Sequence, residues 1–250
     1  MQQPITATDV DSCRILEEDP DLAAGLSPSE RERAVDDCVA ATMRIARGRW
    51  IADFRQPLYN GIGLLVLDGL LLRRVGIDGR FGAELLGEGD ILRPWQGEDG
   101  GSMLTRTTGW RVLAPARVAV LDAQTAECFA AYPELTGSLV GRALERARNL
   151  AINMAIVHQA RVNVRLRMLL WHLADRWGRV RTEGVVVPLA LTHAVLADLV
   201  AARRPTVTTA LNELSREGSV KPSRHGWLLS GDPPGELLEL RQMEIPESRQ

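Results

Sequence analysis

Lysine is nearly absent: Lys221 is the only one among 30 basic residues, and the rest are arginine. Cysteine is scarce. Cys13, Cys38 and Cys128 are an odd number, far apart and without metal-ligand spacing, which is the pattern expected of a reduced, cytoplasmic protein. No window of about 18 uncharged apolar residues exists. The richest run, from Gly61 to Leu72, is short and contains Asp68, so no membrane span is expected. The start of the chain has no basic stretch followed by an apolar run, and no signal peptide is expected. The four histidines, His158, His172, His193 and His225, have no metal spacing, so no metal site is expected. There is no glycine-rich phosphate loop, no Ser/His/Asp set and no zinc motif. The expectation is a protein with no catalytic residues and no cofactor, not an enzyme.

What is present is a chain of 250 residues, 45% hydrophobic, enough for one large domain or two ordinary ones. Its net charge of −2 is unevenly spread. Residues 161–230 hold 11 basic and 5 acidic residues, residues 1–160 hold 17 and 22, and residues 231–250 hold 2 and 5. A basic segment inside an acidic chain suggests that one part meets a polyanion, although a solvated arginine face would give the same balance.

Residues 1–12 read as a loose arm. Residues 13–49 read as short helices, with Ser27-Pro28-Ser29-Glu30 as an N-cap and first turn. From Arg49 to Asp122 short apolar runs alternate with glycine turns. Asp68-Gly69, between Gly63–Leu67 and Leu70–Leu72, reads as a hairpin turn. Gly76 to Gly82, Gly87 to Asp90 and Gly97 to Gly101 read as further turns. Val112-Leu113 and Val118–Leu121 close a series that suggests a roll or barrel. Arg73-Arg74 reads as an exposed strand end, or as a place to neutralise an acidic ligand. Trp95, Trp110, Trp171 and Trp177 read as core, and His172 as structural.

Pro133 opens a long helical stretch. Leu135, Leu139, Ala143, Ala147, Leu150, Met154 and Val157 step by three or four residues and lay down one apolar stripe. Such a stripe packs either on the chain's own sheet or against a second copy; its length and narrowness favour a dimer helix. The expected dimer residues are Leu139, Ala143, Ala147, Leu150, Met154 and Val157. Arg161-Val162-Asn163 interrupts it. A second helix, Val164 to Trp177, ends at Gly178, where a left-handed residue is expected.

Residues 187–230 carry the functional signal. Thr192 caps a helix whose inner face is Val195, Leu196, Leu199 and Val200. Ala201-Ala202 make a tight turn. A second helix follows, with Pro205 in its first turn and Val207, Leu211 and Leu214 inward. Arg203, Arg204, Thr206, Thr208, Thr209 and Asn212 are left outward, mostly at the N-terminal end. A recognition helix has this arrangement, because its first turns meet base edges and phosphates. Gly218 stops the helix, and Arg224 and His225 sit at the tip of a hairpin between Ser219–Lys221 and Trp227–Leu229. Helix, turn, helix and basic hairpin make a winged helix-turn-helix. His193 is a further candidate for a phosphate contact.

At this point residues 45–230 resemble the Crp/Fnr superfamily of bacterial regulators. The strongest stretches are Arg165 to Ala174 and Leu191 to Leu229, and Gly87-Glu88-Gly89-Asp90 resembles the family's turn before its ligand cassette. The resemblance implies an α+β chain: an N-terminal β-roll of cyclic-nucleotide-binding type, a long dimerisation helix and a C-terminal winged helix-turn-helix hinged near Arg161 to Asn163. The corresponding boundaries are 1–128, 129–160 and 161–232, with an acidic tail at 233–250.

The cyclic-AMP-binding members carry Gly-Glu shortly after Gly-Asp and Arg-Ser or Arg-Thr further on. Here Ile91-Leu92-Arg93-Pro94-Trp95 follows, so Arg93 or Pro94 stands where the glutamate would be. Arg106-Thr107 stands for the phosphate pair. Leu150 and Ala151, at the purine positions, are apolar. Control by cyclic AMP is therefore not expected, since the cassette would forgo several hydrogen bonds of about 1 kcal/mol each. Arg93, Trp95, Arg106 and Thr107 remain the candidate pocket for an unknown small-molecule effector. The expected partners are double-stranded DNA and a second copy of the chain, with RNA polymerase a further candidate. The rival reading is a protein-interaction module in which the winged helix is a scaffold.

Overall fold

The computed structural model describes residues 11–51, 61–77, 80–95, 107–235 and 237. Two compact units emerge, Met1–Arg80 with Glu84–Arg148, and Phe81–Ala83 with Asn149–Gln250.

The N-terminal unit begins with β1 (Asp11–Arg14), α1 (Ile15–Glu18), a 3-10 turn (Pro20–Ala23) and α2 (Pro28–Asp37). Ser27 and Glu30 form a reciprocal capping box at the start of α2, the Ser27 amide donating to the Glu30 carboxylate at 3.0 Å. The helical expectation for residues 13–49 fails at both ends. Residues 11–14 are a strand, and after Asp37 the chain forms β2 (Val39–Ile45) and β3 (Gly48–Trp50). Ala40, Thr42 and Ile45 of β2 are buried. Pairing with β1 on one side and β7 on the other overrides the helix-compatible composition of Val39-Ala40-Ala41.

The sheet is completed by β4 (Gly63–Ile77), β5 (Arg80–Leu86), β6 (Ile91–Leu92) and β7 (Thr107–Leu121). Its order is β1-β2-β7-β4-β5, with β3 also on β7 and β6 on β4. Asp68-Gly69 is not a hairpin turn. It lies inside β4, which pairs antiparallel with β7 from Gly63↔Leu121 to Gly76↔Thr107 and shifts register around Asp68 and Leu70. Gly69 takes φ +104, and a Cβ there would come within 2.5 Å of the Ala116 Cα. A β-bulge needs the same positive-φ residue as a tight hairpin, so the dipeptide alone does not separate them. The turn at Gly87–Asp90 is present, with the Asp90 carboxylate accepting from the Gly87 amide at 2.8 Å. The turn expected at Gly97 to Gly101 lies outside the described residues.

Alternation along β4 feeds two cores. Leu65 and Leu67 join Ile15, Leu22, Phe129, Leu135 and Leu139, while Leu64 and Val66 join Trp50, Trp95, Trp110 and Val118. After β7 come α3 (Ala123–Ala130), capped by the Asp122 carboxylate, and α4 (Pro133–Val157). The expectation of three reduced cysteines is corrected here. Cys38 and Cys128 are joined by a disulfide, with Cα atoms 6.0 Å apart, and Cys13 alone is a thiol. Sequence spacing did not show it, because 90 positions separate the two residues and only tertiary packing brings them together.

The C-terminal unit contains α5 (Val162–Trp177), β8 (Arg179–Arg181), β9 (Gly184–Val187), α6 (His193–Leu199), α7 (Arg204–Glu217), β10 (Val220–Ser223) and β11 (Gly226–Leu229). Leu166, Leu169, Leu170 and Leu173 of α5 are buried, as are the inward residues of α6 and α7. The wing hairpin β10–β11 does not stand alone: β11 pairs with β9 and β9 with β8. Gly178 is not left-handed; its φ is −67. Glycine is needed there because a Cβ would collide with the carbonyl of Ala174 in the last turn of α5.

Candidate nucleic-acid interface

Thr192 caps α6, accepting from the Val195 amide at 3.3 Å. Ala201 takes φ 49 in the turn that follows, and α7 begins with Arg203 as N-cap and Pro205 in the first turn. Val207, Ala210, Leu211 and Leu214 are buried against the rest of the unit. Arg203, Arg204, Thr206, Thr209 and Asn212 are exposed. Gly218 closes the helix with φ 82.

Thr208 has a different place. It is half-buried, its hydroxyl donates to the Arg204 carbonyl at 3.1 Å, and His193 Nδ1 lies 2.9 Å from the Thr208 hydroxyl oxygen. The His193 ring also packs against Trp227, with centroids 6.2 Å apart. Thr208 and His193 therefore tie α6, α7 and β11 together. The Thr209 hydroxyl donates to the Pro205 carbonyl at 3.3 Å, which leaves its methyl group and a lone pair outward. Arg165 on α5 adds a second tie. Its guanidinium donates to the Gln159 carbonyl at 2.6 Å, just before α5, and to the Val200 carbonyl at 3.2 Å, at the end of α6.

The wing tip is Arg224-His225, both exposed, between Ser223 and Gly226, which pair. Gly226 has φ +155, and a Cβ there would strike the carbonyl of Val187 and lie 2.9 Å from the Leu189 amide nitrogen. Gly226→Ala is expected to destabilise the C-terminal unit by about 2–4 kcal/mol through backbone strain and overpacking. Thermal unfolding followed by circular dichroism checks this; an unchanged midpoint would show that the hairpin shifts freely.

On α4 the sequence stripe divides. Leu135 and Leu139 point into the core of the N-terminal unit, so Leu139 is not available to a second chain. Ala143, Ala147 and Met154 are exposed, and Leu150 and Val157 are half-buried. Two large apolar residues that the stripe did not include, Val140 and Leu144, are 54% and 66% exposed, alongside Met154 at 63%.

The region beside the Gly87–Asp90 turn is charged and internally paired. Glu84, buried on β5, takes a bidentate pair of hydrogen bonds from Arg146 at 2.6 and 3.1 Å and an ion-pair contact from Arg73 at 2.7 Å. Arg146 also donates to the Ile91 carbonyl at 2.8 Å. One turn earlier on α4, Arg142 pairs with Asp19 and donates to the Gly89 carbonyl at 3.3 Å. Its hydrogen bonds to Asp19 push its pKa further up, so it remains charged. Arg73 is thus a partly buried ion-pair partner rather than an exposed strand end. Trp95 is a core residue, and the Arg93 guanidinium lies over its ring at 5.9 Å. Arg106 lies outside the described residues, and Thr107 opens β7 opposite Gly76. Sequence reasoning missed Glu84, Arg142 and Arg146. The available signals were two arginines four apart on one helix face and a lone glutamate inside Phe81-Gly82-Ala83-Glu84-Leu85-Leu86.

Comparison with known proteins agrees with this geometry. Residues 164–234 match the family described as the Crp-like helix-turn-helix domain. Among solved structures, a CooA mutant from Carboxydothermus hydrogenoformans is similar over 96% of this chain and 98% of its own, with TM-score 0.59 and 16% identity. FixK2 from Bradyrhizobium japonicum is similar over 84% and 99%, with TM-score 0.57 and 15% identity. The c-di-GMP responsive regulator CLP from Xanthomonas campestris is similar over 82% and 100%, with TM-score 0.55 and 16% identity. No curated protein sequence matches the chain. Residues 164–234 of the C-terminal unit form a Crp-like helix-turn-helix domain, and the chain as a whole shares the fold of these solved structures. Among the described residues no helix is long and apolar enough to cross a membrane.

Proposed function

We propose that this protein is a homodimeric, sequence-specific DNA-binding transcription regulator that is not controlled by cyclic AMP. The observation that carries the reading is the outer surface of α7. Arg203, Arg204, Thr206, Thr209 and Asn212 are exposed on a helix whose opposite side is fully packed, with the basic wing tip as a second contact. Among the described residues nothing pairs with the guanidinium groups of Arg203, Arg204 or Arg224. The first turn of α7 adds unpaired amides and the positive end of the helix dipole, which favour phosphate.

Arg204 is assigned to base readout and Arg224 and His225 to the backbone. Thr208, committed to His193 and to its own helix, positions α7 rather than reading a base; Thr209 and Asn212 are the better candidates for base edges. Dimerisation rests on the exposed apolar residues of α4. Independence of cyclic AMP is supported by the absence of the Gly-Glu pair and by the Arg142 and Arg146 guanidiniums, which already bond the carbonyls of Gly89 and Ile91.

Selection from random DNA, followed by binding at several salt concentrations, tests the assignment. The wild type is expected to select a palindrome with half-sites centred about 10 base pairs apart. Arg204→Ala is expected to relax one symmetric position by about 1–3 kcal/mol. Arg224→Ala is expected to keep the motif, bind more weakly and lower the salt slope by about one for each phosphate no longer neutralised. An Arg204→Ala protein with an unchanged motif and only a smaller salt slope would make that residue a phosphate contact.

A further inference from the structure

The three cysteines of the chain lie on one core of the N-terminal unit. Cys38 is buried within it, and Cys13 and Cys128 pack against its edge. Cys38 ends α2 and leads into β2. Its amide donates to the Ala34 carbonyl at 2.9 Å, and its carbonyl accepts from the Ile15 amide at 3.0 Å, so its position is set by α2 and by the chain just after β1. Cys128 sits near the end of α3. The bond between them fastens α2 to the corner where α3 gives way to α4. A hydrogen bond runs beside it: the Tyr132 hydroxyl, in the α3–α4 corner, donates to the Asp37 carboxylate at 2.6 Å.

The two sulfurs differ in access. Cys38 is 0% exposed, whereas Cys128 is partly exposed. On the proposed function the protein works beside DNA inside the cell, where disulfides are mostly transient, catalytic or redox-sensing. We propose that Cys38 and Cys128 form a reversible, peroxide-responsive thiol–disulfide pair, with Cys128 as the entry thiol and Cys38 as the resolving one. Its state sets how firmly the α3–α4 corner is held.

The chemistry balances with one peroxide per pair. The Cys128 thiolate attacks a peroxide oxygen, the O–O bond breaks, and the leaving hydroxide takes a proton to become water, which leaves a sulfenic acid on Cys128. The Cys38 thiol gives up its proton and attacks the Cys128 sulfur. The S–S bond forms, the S–O bond breaks, and a second water departs. Two thiols have then supplied the two electrons that reduce the peroxide. In the return direction a thiolate of a dithiol reductant attacks the sulfur of the partly exposed Cys128 and displaces Cys38, which takes up a proton. The reductant's second thiol then attacks the mixed disulfide and frees Cys128, so the reductant leaves as a disulfide. Cys13 stays outside the cycle. Burial, reinforced by the Glu18 carboxylate and opposed by Arg117, pushes its pKa up and keeps it a thiol.

The test uses the full native chain and needs no DNA, so its failure and the failure of the DNA reading are separable. Without denaturant, protein treated with dithiothreitol is expected to gain two thiols that a maleimide labels after unfolding, for three in all. Hydrogen peroxide is expected to return the count to one, at Cys13. Hydrogen exchange of residues 123–139 is expected to be at least about tenfold faster in the reduced protein. A dimedone-type probe of sulfenic acid is expected to label Cys128 in Cys38→Ser, and not Cys38 in Cys128→Ser. A disulfide reducible only after denaturation would make the bond a permanent staple and overturn the proposal. Equal exchange rates in the two states would overturn it as well, and both of these measurements use the wild type. Labelling of Cys38 in Cys128→Ser would overturn the assignment of roles.

Discussion

Glu84→Ala is expected to lower the stability of the N-terminal unit by about 2–4 kcal/mol. Glu84 is 7% exposed and neutralises two guanidiniums, Arg73 and Arg146, drawn from a strand and from α4. Removing it leaves two like charges facing each other in a partly buried site and deletes two hydrogen bonds and an ion-pair contact. Breaking a fully buried pair costs about 3–5 kcal/mol. The arginine side chains here are 33% and 22% exposed, so water recovers part of that. Glu84→Gln keeps the shape and a carbonyl acceptor and is expected to cost about half as much. The N-terminal unit can be followed separately, because Trp50, Trp95 and Trp110 lie in its core while Trp171, Trp177 and Trp227 belong to the other unit. Denaturation of proteins carrying phenylalanine at the latter three positions checks the expectation. Equal midpoints for wild type and Glu84→Ala would show that the cluster contributes only local order.

A Leu144→Lys, Met154→Lys variant is expected to sediment as a monomer at micromolar concentration, where the wild type is expected to sediment as a dimer. Leu144 and Met154 are two of the six large hydrophobic side chains that are exposed among the described residues, and Val140 on the same helix is another. Ala143, Ala147 and Ala151 are exposed between them, small enough for two helices to approach closely. Two ammonium groups placed in such a seam would each face an apolar surface and their own symmetry copies. A penalty of about 3–4 kcal/mol raises the dissociation constant by roughly two to three orders of magnitude. Sedimentation velocity reads this directly. Leu139→Lys is the informative contrast: that side chain lies in the core of its own unit, so the expected result is loss of folding rather than a folded monomer. A dimeric Leu144→Lys, Met154→Lys protein would move the interface away from α4.

The sequence alone determined the helix-turn-helix. Its signals are local: Thr192 caps, Pro205 and Gly218 bracket α7, and Val207, Leu211 and Leu214 repeat at helical spacing, so a window of about thirty residues holds the whole pattern. The capping box at Ser27 and the existence of α4 were legible for the same reason. Tertiary structure decided whatever depends on a partner far along the chain. Asp68-Gly69 is a bulge because β7 runs opposite both of its flanks. Val39–Ile45 is a strand because β1 and β7 receive it. The apolar stripe of α4 splits between core and surface because only its N-terminal members, Leu135 and Leu139, pack in the core of the N-terminal unit. Thr208 faces His193 rather than outward, because α6 crosses α7 there. Glu84 with Arg146, and Cys38 with Cys128, are contacts across 62 and 90 positions. Periodicity shows which face of an element is apolar or charged, but the element that meets that face is selected only when the chain packs.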